Sequence, residues 1–222
     1  MRKKIILGVS SSPRKGANTD ILLAEALKAA KEFDYIETKS VYLRDYSISP
    51  CNSCFSCCGD HAAEGDMGRA CLFYQDGMDE LYPLLKECDG LILASPVYFG
   101  TMNAQMKIFM DRTEGLLRYG KSQYQYALRN KVGGAISIGG NRNAGQEATL
   151  QAMHYFFAVH DMIIVGSGPD VRPGCYLGGG ATTHPERGKV MDAVRNDELG
   201  LKSTKMLGKR VGEVLGMMNA GY

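Results

Sequence analysis

Five short apolar runs alternate along the chain with longer stretches in which apolar residues recur at helical spacing. Residues 3–9 form the first run and close on Gly and Ser, the pattern of a strand buried on both faces. Residues 19–33 follow with helical spacing in Ile21, Leu22, Ala24, Ala26, Leu27 and Ala30, and Asn18 or Thr19 is expected to cap this helix. A second strand is expected over 35–43, a helix over 77–87, a third buried strand over 90–95 and a helix over 103–117. Residues 132–138, 144–159 and 161–165 continue as strand, helix and strand, and a last helix covers about 197–218. Two stretches show no period: a Cys-rich segment at about 47–75 and a Gly/Pro-rich excursion at 169–188.

Strands that are apolar throughout need cover on both faces, and helices between them supply it. The expected fold class is α/β, a doubly wound five-stranded parallel sheet with a Cys-rich insertion after strand 2. Right-handed crossovers restrict the topology, and the expected order is 2-1-3-4-5, the flavodoxin-like arrangement. Neither an internal repeat nor a linker divides residues 1–222, so a single domain is expected.

Composition alters this picture little. Hydrophobic residues make up 45% and charged residues 23% of the 222, enough for a core, and a formal charge of +2 gives no nucleic-acid signature. The basic start and the apolar run after Lys4 are too short for a secretory signal, and no run reaches the roughly 20 apolar residues of a membrane span. A cytoplasmic location is expected. Seven cysteines, odd in number and with five between residues 51 and 71, then read as metal or redox chemistry in preference to disulfides.

The segment 8–19 joins the first strand to the first helix. A phosphate needs hydroxyls, backbone N–H groups at a helix N-terminus and a cation in a small space, and Ser10, Ser12, Arg14, Asn18 and Thr19 are of these types. The segment has neither G-x-x-x-x-G-K-[ST] nor G-x-G-x-x-G, so a mononucleotide phosphate fits it better than a triphosphate or a dinucleotide. After the third strand, Pro96, Val97, Tyr98, Phe99 and Gly100 offer the flat apolar surface and backbone groups that an isoalloxazine ring requires. With Lys107-x-x-x-Asp111-Arg112, these motifs resemble the NAD(P)H-dependent FMN reductase superfamily over nearly the whole chain. The resemblance implies FMN, its phosphate held by Ser10, Ser12, Arg14, Asn18 and Thr19, and a third flavin loop containing Gly139, Gly140 and Arg142. Asp111 and Arg112 read as a structural ion pair or helix-end anchor.

Cys51, Cys54 and Cys57 stand at two-residue intervals, and Cys71 follows. Three closely spaced thiolates can wrap one face of an iron–sulfur cubane, and four thiolates also suit zinc. A reduced thiol patch and a disulfide pair, both without metal, are the remaining possibilities. The arrangement resembles the iron–sulfur flavoprotein branch of the superfamily, which implies a [4Fe-4S] cluster on Cys51, Cys54, Cys57 and Cys71. Here the stretch before Cys71 is longer than the branch pattern, and Cys58 is a further candidate ligand. His61 could replace Cys71, while an isolated Cys88 reads as a small core residue.

The function expected is an FMN-dependent oxidoreductase passing electrons between NAD(P)H or a one-electron donor, FMN and the cluster. The alternatives are a non-enzymatic electron carrier and a cluster-free quinone or flavin reductase with zinc or free thiols. No catalytic acid or base is assigned, because the cofactors carry the chemistry. Expected partners are small-molecule donors or acceptors or a redox protein such as ferredoxin. The resemblance implies a homodimer or homotetramer.

Overall fold

A computed structural model describes residues 2–58, 69–117, 123–169 and 175–219. His61 therefore lies outside the described residues. The strands are β1 (Lys4–Ser10), β2 (Ile36–Tyr42), β3 (Gly90–Tyr98), β4 (Thr101–Met102), β5 (Val132–Gly139), β6 (Ile163–Val165) and β7 (Gly179–Thr182). The helices are α1 (Asn18–Ala30), α2 (Met78–Glu87), α3 (Ala104–Asp111), α4 (Gln146–Val159) and α5 (Glu198–Asn219). The sheet runs β2-β1-β3-β5-β6, with all these neighbours parallel. With β4 and β7 set aside, this is the order expected of a flavodoxin-like sheet.

Alternation along β1 divides the core. Ile5, Leu7 and Val9 join Leu91, Leu93, Leu81, Met106, Met153 and Phe157 on the side of α2, α3 and α4. Ile6 joins Ile92, Ile136, Leu22, Leu23, Leu207 and Val211 on the side of α1 and α5. The latter two helices approach so closely that a Cβ on Gly208 would stand 2.0 Å from the Ala26 carbonyl oxygen. Glycine there permits contact that any larger residue forbids.

Several boundaries depart from expectation for visible reasons. Asn18 is the first residue of α1 and not its cap; Ala17 occupies that place and makes no side-chain capping bond. β3 runs on to Tyr98 because it pairs antiparallel with β4, the turn between them being Phe99 and Gly100 at φ 50° and 83°. Two central residues of positive φ define the tight hairpin turn that matches strand twist. The helix expected over 103–117 stops at Asp111 and tightens into a 3₁₀ turn, Arg112–Leu116. The excursion at 169–188 contains β7, so the fifth sheet position is shared. β6 pairs with Val132–Gly134 and β7 with Ile136–Gly139 of the same strand β5.

Arg112 explains the early end of α3. Its side chain is 2% exposed and pairs with Asp76 at 2.6 Å, donates to the Ser49 carbonyl at 2.7 Å and stacks over Tyr74. The ion-pair partner is therefore Asp76, whereas Asp111 pairs with Lys107. Burial alone would raise the Asp76 carboxyl; the Arg112 guanidinium and the Ser49 and Met78 N–H groups outweigh it and hold the carboxyl below its ordinary value. Next to this anchor, His160 is buried against Phe156 and within 2.9 Å of the Thr113 hydroxyl, and burial lowers its pKa to about 4.

Removing one partner from a buried pair strands the other, so Arg112→Met is expected to lower the unfolding free energy by about 3–5 kcal/mol in urea titrations. Both depressed groups give stability at higher pH. The His160 contribution, roughly 3 kcal/mol at most, is complete above its unfolded value near 6.5 and lost as pH falls toward 4. The Asp76 contribution is lost below that, as pH falls through its depressed value. Urea midpoints followed from pH 8 to 3 check this: His160→Gln should flatten the first decline and leave the second.

Candidate cofactor and thiol sites

The C-terminal ends of β1, β3 and β5 open onto a cavity of about 410 Å³. Its lining includes Ser12, Arg14, Asn18, Thr19, Pro96, Val97, Tyr98, Gly139 and Gly140 from the three expected loops. Ligands of open α/β sheets bind at this edge, and the volume lies within the range of small-molecule sites. Phe99 and Gly100 form the hairpin tip beside it, with the Phe99 ring fully exposed. Arg142 is not brought to this cavity; it lines a separate depression with Asn143, Glu147 and Cys175.

The polar residues of the first loop divide into two kinds. Ser10 lies beneath the loop and donates to Asp20 Oδ1 at 2.6 Å, while Gly16 N–H donates to Oδ2 at 2.8 Å. Arg44 closes this belt with an ion pair to Asp20 at 2.9 Å. Asn18 spends its amide on distant chain, donating to the Val190 carbonyl and accepting from Val194 N–H, each at 2.9 Å. Ser12, Arg14 and Thr19 line the cavity. Because Ala17 gives no side-chain cap, the first N–H groups of α1 are left for a ligand, and the helix dipole adds positive potential there.

Asn103 ties this loop to the second one. It is 1% exposed, caps α3 by accepting from Met106 N–H, and donates to the Ser11 carbonyl at 2.7 Å. The Ser95 hydroxyl stands 3.4 Å from its Oδ1. The sequence signal for Asn103 was a capping residue at the start of a helical run; its second bond, to Ser11, had none. The cavity also receives Thr183, Arg187 and Gly188 from beyond β7. The Thr183 hydroxyl is buried and among the described residues has no hydrogen-bond partner. A phosphorylated flavin fits this donor set: an uncapped helix end, an orphaned hydroxyl, two lining arginines, and a Pro-Val-Tyr ledge.

Five cysteines meet elsewhere. Cys51, Cys54, Cys57, Cys58 and Cys71 line one cavity of about 620 Å³, bordered by α3 residues Lys107 to Asp111 and α4 residues Tyr155 to Val159. Ser53 and Phe55 adopt left-handed backbone at φ 55° and 57°, which coils the chain between the thiols. Cys57 and Cys58 Sγ are 3.7 Å apart, and Tyr74 N–H approaches Cys71 Sγ at 3.5 Å. The thiols differ in character: the Ser56 hydroxyl at 3.1 Å from Cys54 Sγ favours its thiolate, whereas burial and then the neighbouring Cys58 push Cys57 up. Among the described residues no three groups already stand in metal-ligating geometry. In chemistry and place the donor set fits a soft metal centre. Cys88 is a core residue as expected, its thiol raised by burial to about 11.

A doubly wound parallel sheet with this cavity at its switch point defines a flavodoxin-like mononucleotide-binding protein. The family described as NADPH-dependent FMN reductase matches residues 5–169, and the chain belongs to it, within the iron–sulfur flavoprotein branch of flavin-dependent oxidoreductases. An iron–sulfur flavoprotein of Methanocaldococcus jannaschii is 41% identical over 210 residues, covering 95% of this chain and 96% of the relative. An iron–sulfur flavoprotein of Methanosarcina thermophila is 35% identical over 95% of this chain and 94% of its own length. Among solved structures, a WrbA-like flavodoxin from Agrobacterium tumefaciens superposes with a TM-score of 0.58 at 15% identity, covering 97% of this chain and 99% of that one, which speaks for the fold alone. No helix among the described residues is long and apolar enough to cross a membrane.

Asn103→Ala removes both the cap and the bridge to Ser11, and is expected to cost about 1–3 kcal/mol of stability. Asn103→Ser keeps a capping oxygen and should recover about 1 kcal/mol of that. Thermal unfolding of the two variants beside the parent checks the split.

Proposed function

We propose that this flavin-dependent oxidoreductase binds FMN at the strand ends and an iron–sulfur cluster in the thiol cavity, and moves electrons between them and external partners. The observation that carries the cluster is the convergence of five thiols from two chain segments on one cavity. Cys51, Cys54 and Cys57 are its proposed ligands, with Cys71 as fourth and Cys58 as the competing thiol. Such a cluster exchanges single electrons and a flavin exchanges one or two, so the pair joins two-electron donors to one-electron acceptors.

This chain's own residues set the conditions. Ser12, Arg14, Thr19 and the N-terminus of α1 hold the phosphate, while Pro96, Val97 and Tyr98 offer a ledge to the ring. α3 links the sites: it starts at the Asn103 cap beside the flavin loop, and its far end, Lys107 to Asp111, borders the thiols. Eight residues of helix span roughly 12 Å, so the two centres are separated by one short rigid element. NAD(P)H, a small-molecule acceptor or a redox protein such as ferredoxin is the proposed external partner, in a homodimer or homotetramer. The iron–sulfur flavoprotein relatives support this reading.

Protein purified without oxygen is expected to carry about four irons and four sulfides per chain together with one FMN. Cys54→Ala should lose the iron and keep the FMN, and Cys88→Ser should lose neither. Zinc in place of iron, or no metal, in the anaerobic preparation would overturn the cluster and leave a flavin reductase with free or zinc-bound thiols.

A further inference from the structure

We propose that Thr183 and Arg187 form a second arm of the FMN phosphate site, and that this arm makes the protein select the phosphorylated flavin over riboflavin. The inference rests on the FMN reading above and adds residues that no loop of the first half of the chain supplies.

Three independent observations carry it. Thr183 is 3% exposed and lines the cavity, and among the described residues its buried hydroxyl has no partner, a state that costs free energy unless a ligand supplies one. Arg187 lines the same cavity, its backbone beside Gly140, and among the described residues no carboxylate pairs with its exposed side chain. The backbone that presents both is fixed to the phosphate loop from several directions. Thr183 N–H donates to the Gly139 carbonyl at 2.9 Å and Arg187 N–H to the Thr183 carbonyl at 3.0 Å. Arg14 donates to the Gly188 carbonyl at 2.5 Å, and the Asn18 amide holds Val190 and Val194. Arg187 keeps φ at 51°, a conformation that a side-chain-bearing residue rarely adopts without surrounding constraint.

The chemistry selected is a phosphomonoester dianion. Arg14 and Arg187 both line the cavity, and a guanidinium is the group best matched to phosphate oxygens. The α1 N-terminus supplies backbone donors between them, and Thr183 adds a neutral hydroxyl. An uncharged ribityl chain offers hydroxyl acceptors but no charge to two cations, so the arm rewards the phosphate of FMN and adds little to riboflavin.

The test is titration of apoprotein with FMN and with riboflavin, followed by quenching of flavin fluorescence at two salt concentrations. The parent should prefer FMN. Arg187→Gln should weaken FMN roughly 10–100-fold while leaving riboflavin unchanged and reducing the salt dependence. Thr183→Val should weaken FMN roughly 3–10-fold. Arg187→Gly, which relieves the positive φ, should reproduce the loss seen with glutamine and so separate charge from backbone strain. The inference is overturned if both arm variants bind FMN as the parent does, or lose FMN and riboflavin in equal proportion. A parent that binds neither flavin overturns the FMN reading itself, an outcome distinct from either of these.

Discussion

β3 and β5 are buried from Gly90 to Ala94 and from Val132 to Gly139, so the side chains of their central stretches are committed to the two cores. Their backbone groups are committed to the parallel ladder between them. A sheet sealed in this way can offer donors and ledges only where its strands run out. The three loops that follow β1, β3 and β5 must therefore be fixed by bonds that the sheet does not provide. Asp20, Asn103 and Gln146 supply those bonds, each from a buried position. The site exists because these polar side chains were taken from solvent to hold loop backbone in place.

What was legible in the sequence is what is local. The strands announced themselves as apolar runs, and the first loop as a cluster of hydroxyls and a cation before a helical period. The flavin ledge stood directly after a strand. What was illegible depends on partners far along the chain. Nothing near Asn18 indicates that its amide is spent on Val190 and Val194, and nothing near Ser10 indicates that its hydroxyl turns down toward Asp20. Thr183 and Arg187 belong to a Gly/Pro-rich stretch that reads as loop. They reach the cavity only because four residues of it pair with the last half of β5.

The thiol site shows the same division. Cysteine spacing pointed to a site, since thiols at two-residue intervals suit metal or redox chemistry. Spacing could not reveal how they would be held. Cys51, Cys54, Cys57 and Cys58 come from one segment and Cys71 from another, and both segments are tied to the domain by Arg112, whose partner Asp76 is 36 residues away. A motif containing Asp111 and Arg112 points to their neighbourhood; the choice of Asp76 as partner over Asp111 is decided by burial.

The Arg112 anchor bears on the order in which the molecule is made. Ser49 and Asp76 flank the cysteines on either side, and their bonds to Arg112 and to each other involve no thiol. Arg69 adds an ion pair to Asp79 and a bond to the Tyr74 carbonyl on the far side of the segment. Domains whose ligands alone hold them together fold only as metal arrives. Here the frame around the thiols closes with protein contacts, so the polypeptide is expected to mature first, and any metal that the thiols take up would arrive afterwards on a scaffold that is already standing.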